Sequence, residues 1–86
     1  MRLDKYLKVS RLIKRRTVAN AVCDSARVFV NSNPAKPSKQ LKVGDIIEIE
    51  YKTETKAYKV LKLPQGNIPI SIAPELYEEI IDHQQV

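Results

Sequence analysis

At 86 residues, 43% hydrophobic and net +5, the chain has room for one domain with a modest core and none for a separate catalytic domain. Its apolar runs fall short of the roughly 20 residues that cross a bilayer, and charges break the apolar run a signal peptide would need. A single cysteine, Cys23, excludes an intrachain disulfide and fits a reducing, cytoplasmic setting.

Residues 1–16 hold seven cations, Arg2, Lys5, Lys8, Arg11, Lys14, Arg15 and Arg16, against Asp4 alone, a net of +6, so the other seventy residues sum to −1. Leu3, Tyr6, Leu7 and Ser10 share one side of a 3.6-residue repeat, and Arg2, Lys5 and Lys8 the other. Residues 2–9 therefore read as an amphipathic helix. A turn is expected over 11–16. Thr17 then serves as N-cap of a second helix with Val18, Ala21 and Val22 as its buried face, ending over 24–26 without a glycine. Residues 27–30 alternate as a short strand, and Asn31-Ser32-Asn33-Pro34 supplies turn residues.

Lys36-Pro37-Ser38-Lys39 reads as a polar loop. Val43-Gly44-Asp45 feeds a strand over 46–51, with Ile47, Ile49 and Tyr51 on one face and Glu48 and Glu50 on the other. A second strand over 55–63 completes a hairpin, its alternation slipping between Val60 and Leu61 as a bulge or strand end. Pro64-Gln65-Gly66-Asn67 is a break. Pro74, Leu76, Tyr77, Ile80 and Ile81 then predict a short amphipathic helix, either packed on the sheet or docking a partner. Two helices, a small mainly antiparallel sheet and a short C-terminal helix make an α+β fold. The division is a domain over 1–63 and an extension over 64–86 on the same body.

The basic helices match a polyanion, although a merely solvated face would share their composition. Arginine and lysine meet phosphates through charge-assisted hydrogen bonds, and the N–H groups opening the second helix near Thr17 add partial positive charge. About five neutralised phosphates predict a log–log salt slope of roughly −3.5 to −4.5. Phe29 is the one phenylalanine and tryptophan is absent. Tyr6, Tyr51, Tyr58 and Tyr77 fit core or rim packing, so backbone recognition is expected over base reading. Cys23 reads as a core filler and His83 as an exposed tail residue. No metal cluster, catalytic triad, paired carboxylates or phosphate loop is legible, so neither cofactor nor enzymatic activity is expected.

Arg2-Leu3-Asp4-Lys5-Tyr6-Leu7, Arg15-Arg16-Thr17, Val28-Phe29-Val30-Asn31, Lys36-Pro37-Ser38 and Gly44-Asp45 follow in an order that resembles the S4 RNA-binding domain, the αL fold, over about residues 2–51. The run from Arg2 to Thr17 is similar to stand-alone bacterial members, the Hsp15-like and RqcP-like proteins of ribosome quality control. That resemblance implies binding to a stalled large ribosomal subunit carrying peptidyl-tRNA, with contacts to 23S rRNA and tRNA. It also implies help in C-terminal alanine tailing of the nascent chain beside a tailing factor, by a protein that is monomeric when free. Alternatives are a general RNA-binding heat-shock protein of the Hsp15 type or a helix-turn-helix DNA regulator. Ala26 and Ser32 stand where the family usually has glycine.

Under this resemblance the RNA-binding set is Arg2, Asp4, Lys5, Lys8, Arg11, Lys14, Arg15, Arg16, Thr17, Asn31, Lys36, Ser38 and Lys39. Asp4 either pairs with Lys8 one turn on or orients a neighbouring arginine for RNA. Lys36, Ser38 and Lys39 either edge the RNA site or form a soluble turn.

Overall fold

The computed structural model describes residues 1–64 and 70–80. Helix α1 spans Leu3–Val9 and α2 spans Arg16–Asp24. Strands β1 (Val28–Val30), β2 (Asn33–Pro34), β3 (Ile46–Glu50) and β4 (Thr55–Val60) follow. A 3-10 helix over Ile70–Leu76 then leads into β5, Tyr77–Ile80. The five strands form one antiparallel sheet in the order β2-β1-β3-β4-β5. This is the expected α+β architecture. No described helix is long and apolar enough to cross a membrane.

Register explains the core. Val28 opposes Ile49, Val30 opposes Ile47, and Ile47 opposes Tyr58, so these side chains share one sheet face. All five are buried, together with Leu3, Tyr6 and Leu7 of α1 and Ala19 and Cys23 of α2. Each fully buried aliphatic side chain contributes about 1.5–3 kcal/mol. Tyr6 carries its hydroxyl into this core and donates to the Leu76 carbonyl at 2.6 Å. The same carbonyl accepts from the Leu61 and Lys62 amides, so α1, the exit of β4 and the 3-10 helix meet at one oxygen. Burial pushes the Tyr6 hydroxyl well above its ordinary pKa, which keeps it a donor.

Several expectations are corrected. The second helix begins at Arg16, two residues before the start that a Thr17 N-cap implies, with Arg15 at the N-cap position and no side-chain cap. Its buried face is Ala19 and Cys23, whereas Val18 is 47% exposed, Ala21 is exposed and Val22 only half-buried. Small side chains at Ala19 and Cys23 let α2 lie close over α1, and that packing rather than the largest hydrophobes sets the rotation. The tail helix is replaced by the 3-10 segment, with Pro74 inside it, and by β5. Tyr77, Glu78, Glu79 and Ile80 pair with Val60, Lys59, Tyr58 and Ala57. The open edge of β4 offers a ladder of unpaired N–H and C=O groups, which outweighs the weak helical periodicity of four residues. Strand β4 ends at Val60, where the alternation slips. Residues 65–67, and Ile81 and His83 in the tail, lie outside the described residues.

Three turns use left-handed backbone without glycine. Ser25 caps α2, Ala26 follows at φ +62°, and the amides of Ala26 and Arg27 donate back to Cys23 and Val22; this is the Schellman pattern with alanine in the glycine position. Asn31 (φ +52°) and Ser32 (φ +72°) form the two-residue turn between β1 and β2, the positive pair a type I′ hairpin requires. Arg11 (φ +65°) turns the chain out of α1.

Candidate nucleic-acid interface

Asp4 is the only acidic residue in the basic N-terminal segment, and it is buried at 2% relative exposure. Its carboxylate gathers five donor groups from four residues. Arg2 Nε donates to Oδ1 at 3.2 Å and Arg2 Nη2 to Oδ2 at 3.3 Å. The Lys5 amide donates to Oδ1 at 2.8 Å, Arg16 Nη2 to Oδ1 at 3.5 Å and Asn20 Nδ2 to Oδ2 at 3.3 Å. Arg16 and Asn20 are one turn apart on α2, so one carboxylate of α1 holds a flank of the second helix. Burial alone would raise the Asp4 pKa, but the Asn20 hydrogen bond, Arg16, the Lys5 amide and Arg2 together hold it below the ordinary carboxylate value. The carboxylate is therefore ionised at neutral pH.

Fixing the arginines matters because a guanidinium presents donors in a rigid fork. Asp4 takes part of that fork on each arginine. The Arg2 and Arg16 side chains stay 45% and 48% exposed, leaving outward N–H groups pre-aimed for an anion. Lys8 is not in the Asp4 network, so the pairing one turn along α1 gives way to an interhelical arrangement.

The polar loop joins the same surface. The amides of Leu3 and Asp4 donate to the Lys39 and Pro37 carbonyls at 2.8 and 3.1 Å, the Leu41 amide donates to the Met1 carbonyl, and Arg2 bridges to Gln40. These bonds satisfy the opening turn of α1 and place exposed Lys36, Ser38 and Lys39 beside Arg2 and Lys5. Lys5 and Lys8 lie on the exposed side of α1, Arg11, Lys14 and Arg15 in the linker, and Thr17 in the first turn of α2, all exposed. Among the described residues Lys5, Lys8, Arg11, Lys14 and Arg15 enter no ion pair with an acidic side chain.

Asn31 sits apart. Its amide donates to Asp45 Oδ1 and its Oδ1 accepts from the Ile46 amide, while Asp45 Oδ2 accepts from the Lys42 amide. Asn31 thus fastens the β1–β2 turn to the entry of β3. Cys23 is buried, and burial followed by nearby Asp4 and Asp24 pushes its thiol up to about 11, which leaves it inert. Asn20 is the member of the network that sequence reasoning missed. Its four-residue spacing from Arg16 is the available signal, and it becomes legible only once the two helices are known to pack through Asp4.

Residues 1–47 match the S4 domain family. The RQC P-site tRNA stabilizing factor of Streptococcus pneumoniae is 56% identical over 63 residues, covering 73% of this chain and 72% of that protein. A protein of the same name from Helicobacter pylori strain J99 is 38% identical over 84 residues, 91% of this chain and all of that protein. Among solved structures, trimeric heat shock protein 15 of Vibrio cholerae superposes with a TM-score of 0.83 at 30% identity, covering 93% of this chain and 81% of its own. The motifs, the fold and the matched span agree: the chain belongs to the S4 domain family.

Proposed function

We propose that this protein is a non-enzymatic, cytoplasmic, RNA-binding factor of ribosome quality control. It engages large ribosomal subunits stalled with peptidyl-tRNA, touches 23S rRNA and tRNA, and assists C-terminal alanine tailing of the nascent chain alongside a tailing factor. The observation that carries the RNA reading is the buried Asp4 holding Arg2 and Arg16 side by side on a surface that also gathers Lys5, Lys36 and Lys39. A buried carboxylate that pre-orients two half-exposed arginines suits phosphate recognition, because the ordering cost is met before the ligand arrives. The ribosomal target is supported by the relatives named RQC P-site tRNA stabilizing factor.

The helix-turn-helix reading loses support, since the side chain of Asn20 on α2, a type that reads bases, is held by Asp4. A general heat-shock role of the Hsp15 type draws on the structural likeness to heat shock protein 15. Sedimentation separates these. The protein is expected to travel with large subunits that carry peptidyl-tRNA in preference to vacant ones, and Arg16→Ala and Arg2→Ala each weaken that association while thermal unfolding remains cooperative. Equal binding to vacant subunits favours the general role. No loss from either substitution at moderate salt sinks the assigned surface.

A further inference from the structure

Helix α2 has a second flank. Arg16 and Asn20 face Asp4 on one side; Val18 and Val22, two residues on from each, fall on the opposite side. There they border an open groove of about 350 Å³, with Leu12 and Ile13 of the linker as one wall and Tyr51, just past β3, as the other. Its lining is mainly apolar, Val18 is 47% and Tyr51 40% exposed, and the exposed charged residues Arg27, Glu50 and Lys52 complete it. Leu12, Ile13 and Val22 also pack against the core from its lining, and the Asp4 network makes no use of the groove.

We propose that the groove receives one unpaired nucleobase of the bound RNA, stacked on Tyr51 against the apolar wall; this rests on the RNA reading above. Three observations favour a base over an apolar protein segment. The groove draws on the basic linker, because its lining residues Leu12 and Ile13 are flanked in the chain by exposed Arg11 and Lys14. An RNA strand crossing the start of α2, a helix about 10 Å across, passes from one flank to the other. The lining also includes exposed Arg27 and Lys52, which can meet the phosphates flanking a base, and Glu50, which can accept from base amino or imino groups; an apolar peptide leaves those charges unanswered. Finally, the groove holds one planar group, whereas a stable protein contact covers about 800 Å² per partner.

The test compares a fluorescent RNA hairpin with an unpaired loop, the same hairpin with abasic loop positions, and a fully paired duplex. The native protein is expected to lose roughly tenfold in affinity on the abasic loop, in line with one base–aromatic stack. Tyr51→Ser and Val18→Ser are expected to lose a similar factor on the intact loop, with unchanged affinity for the abasic loop and an unchanged salt slope, because no phosphate contact is removed. Equal affinity of the native protein for intact and abasic loops overturns the base site alone. Full loop affinity in both variants does the same, and loss of ribosome association in those variants would then assign the groove to a protein contact. Failure of the native protein to bind any of the three RNAs overturns the RNA reading and this site with it.

Discussion

The helical surface and the sheet are built on opposite principles. Around Asp4 the contacts are polar, directional and partly exposed, and they position side chains that stay accessible. Across β1, β3 and β4 the contacts are apolar and buried, with Val28, Ile47, Ile49, Tyr58 and Val60 on one face. A half-exposed ion pair is worth little to stability, whereas a buried aliphatic side chain is worth several times more. In so small a domain this division lets the helical face be charged without undermining the fold. Asp4 is where the two meet, since it is both buried and the anchor of the basic face.

Substitutions on either side should separate along that line. Ile47→Ala removes a fully buried side chain at the centre of the sheet and is expected to cost 2–5 kcal/mol, roughly, in denaturant unfolding, with the salt slope of RNA binding unchanged for the folded fraction. Asp4→Ala should breach the division. It deprives Arg2, Arg16 and Asn20 of their common acceptor, so a loss of about 1–3 kcal/mol in stability is expected together with a fall in RNA affinity.

Acid offers the same test without truncation. Because the folded pKa of Asp4 lies below its unfolded value, its ionisation stabilises the fold above the ordinary carboxylate pKa of 3.8. That contribution is lost as pH falls through the depressed folded value. Asp4→Asn should therefore flatten part of the stability decline seen in unfolding curves below about pH 4; an unchanged acid limb would argue that Asp4 is not held as described.

Tyr6→Phe leaves the ring in place and removes one donor from the Leu76 carbonyl, which keeps two amide partners. About 1 kcal/mol of stability should go, with RNA binding intact. The smallest effect has the opposite sign. Ala26→Gly relieves a left-handed alanine at the end of α2 and should raise stability by about 0.5–1 kcal/mol in thermal melts, net of the entropy glycine adds to the unfolded chain.

Much of this was legible in the residues. The amphipathic start, the extended β1 and β3 and the charge asymmetry rest on local periodicity, which a sequence displays directly. The ordered motifs, read as a resemblance, supplied the fold. What was hidden depends on contacts distant in the chain. The rotation of α2 is set by how closely Ala19 and Cys23 let it approach, so Val18 and Ala21 came out exposed and Val22 only half-buried. Tyr77 and Ile80 pair as a strand because β4 leaves an edge to fill. The site was half legible: its cations stand out in the first sixteen residues, but the partners of Asp4 lie across a helix interface, and Asn20 gives no sign of its role until that interface is known. The loop residues Lys36, Ser38 and Lys39 joined the surface through backbone bonds to α1 that no side-chain pattern encodes.

The central claim is that Arg2 and Arg16, held by Asp4, contact RNA phosphates. The direct measurement is the dependence of RNA affinity on salt for the native protein, Arg2→Ala and Arg16→Ala. The native slope should lie at roughly −3.5 to −4.5, and each substitution should make it shallower by about 0.7–0.9, one phosphate contact apiece. Slopes that stay the same in both variants while binding persists would contradict it.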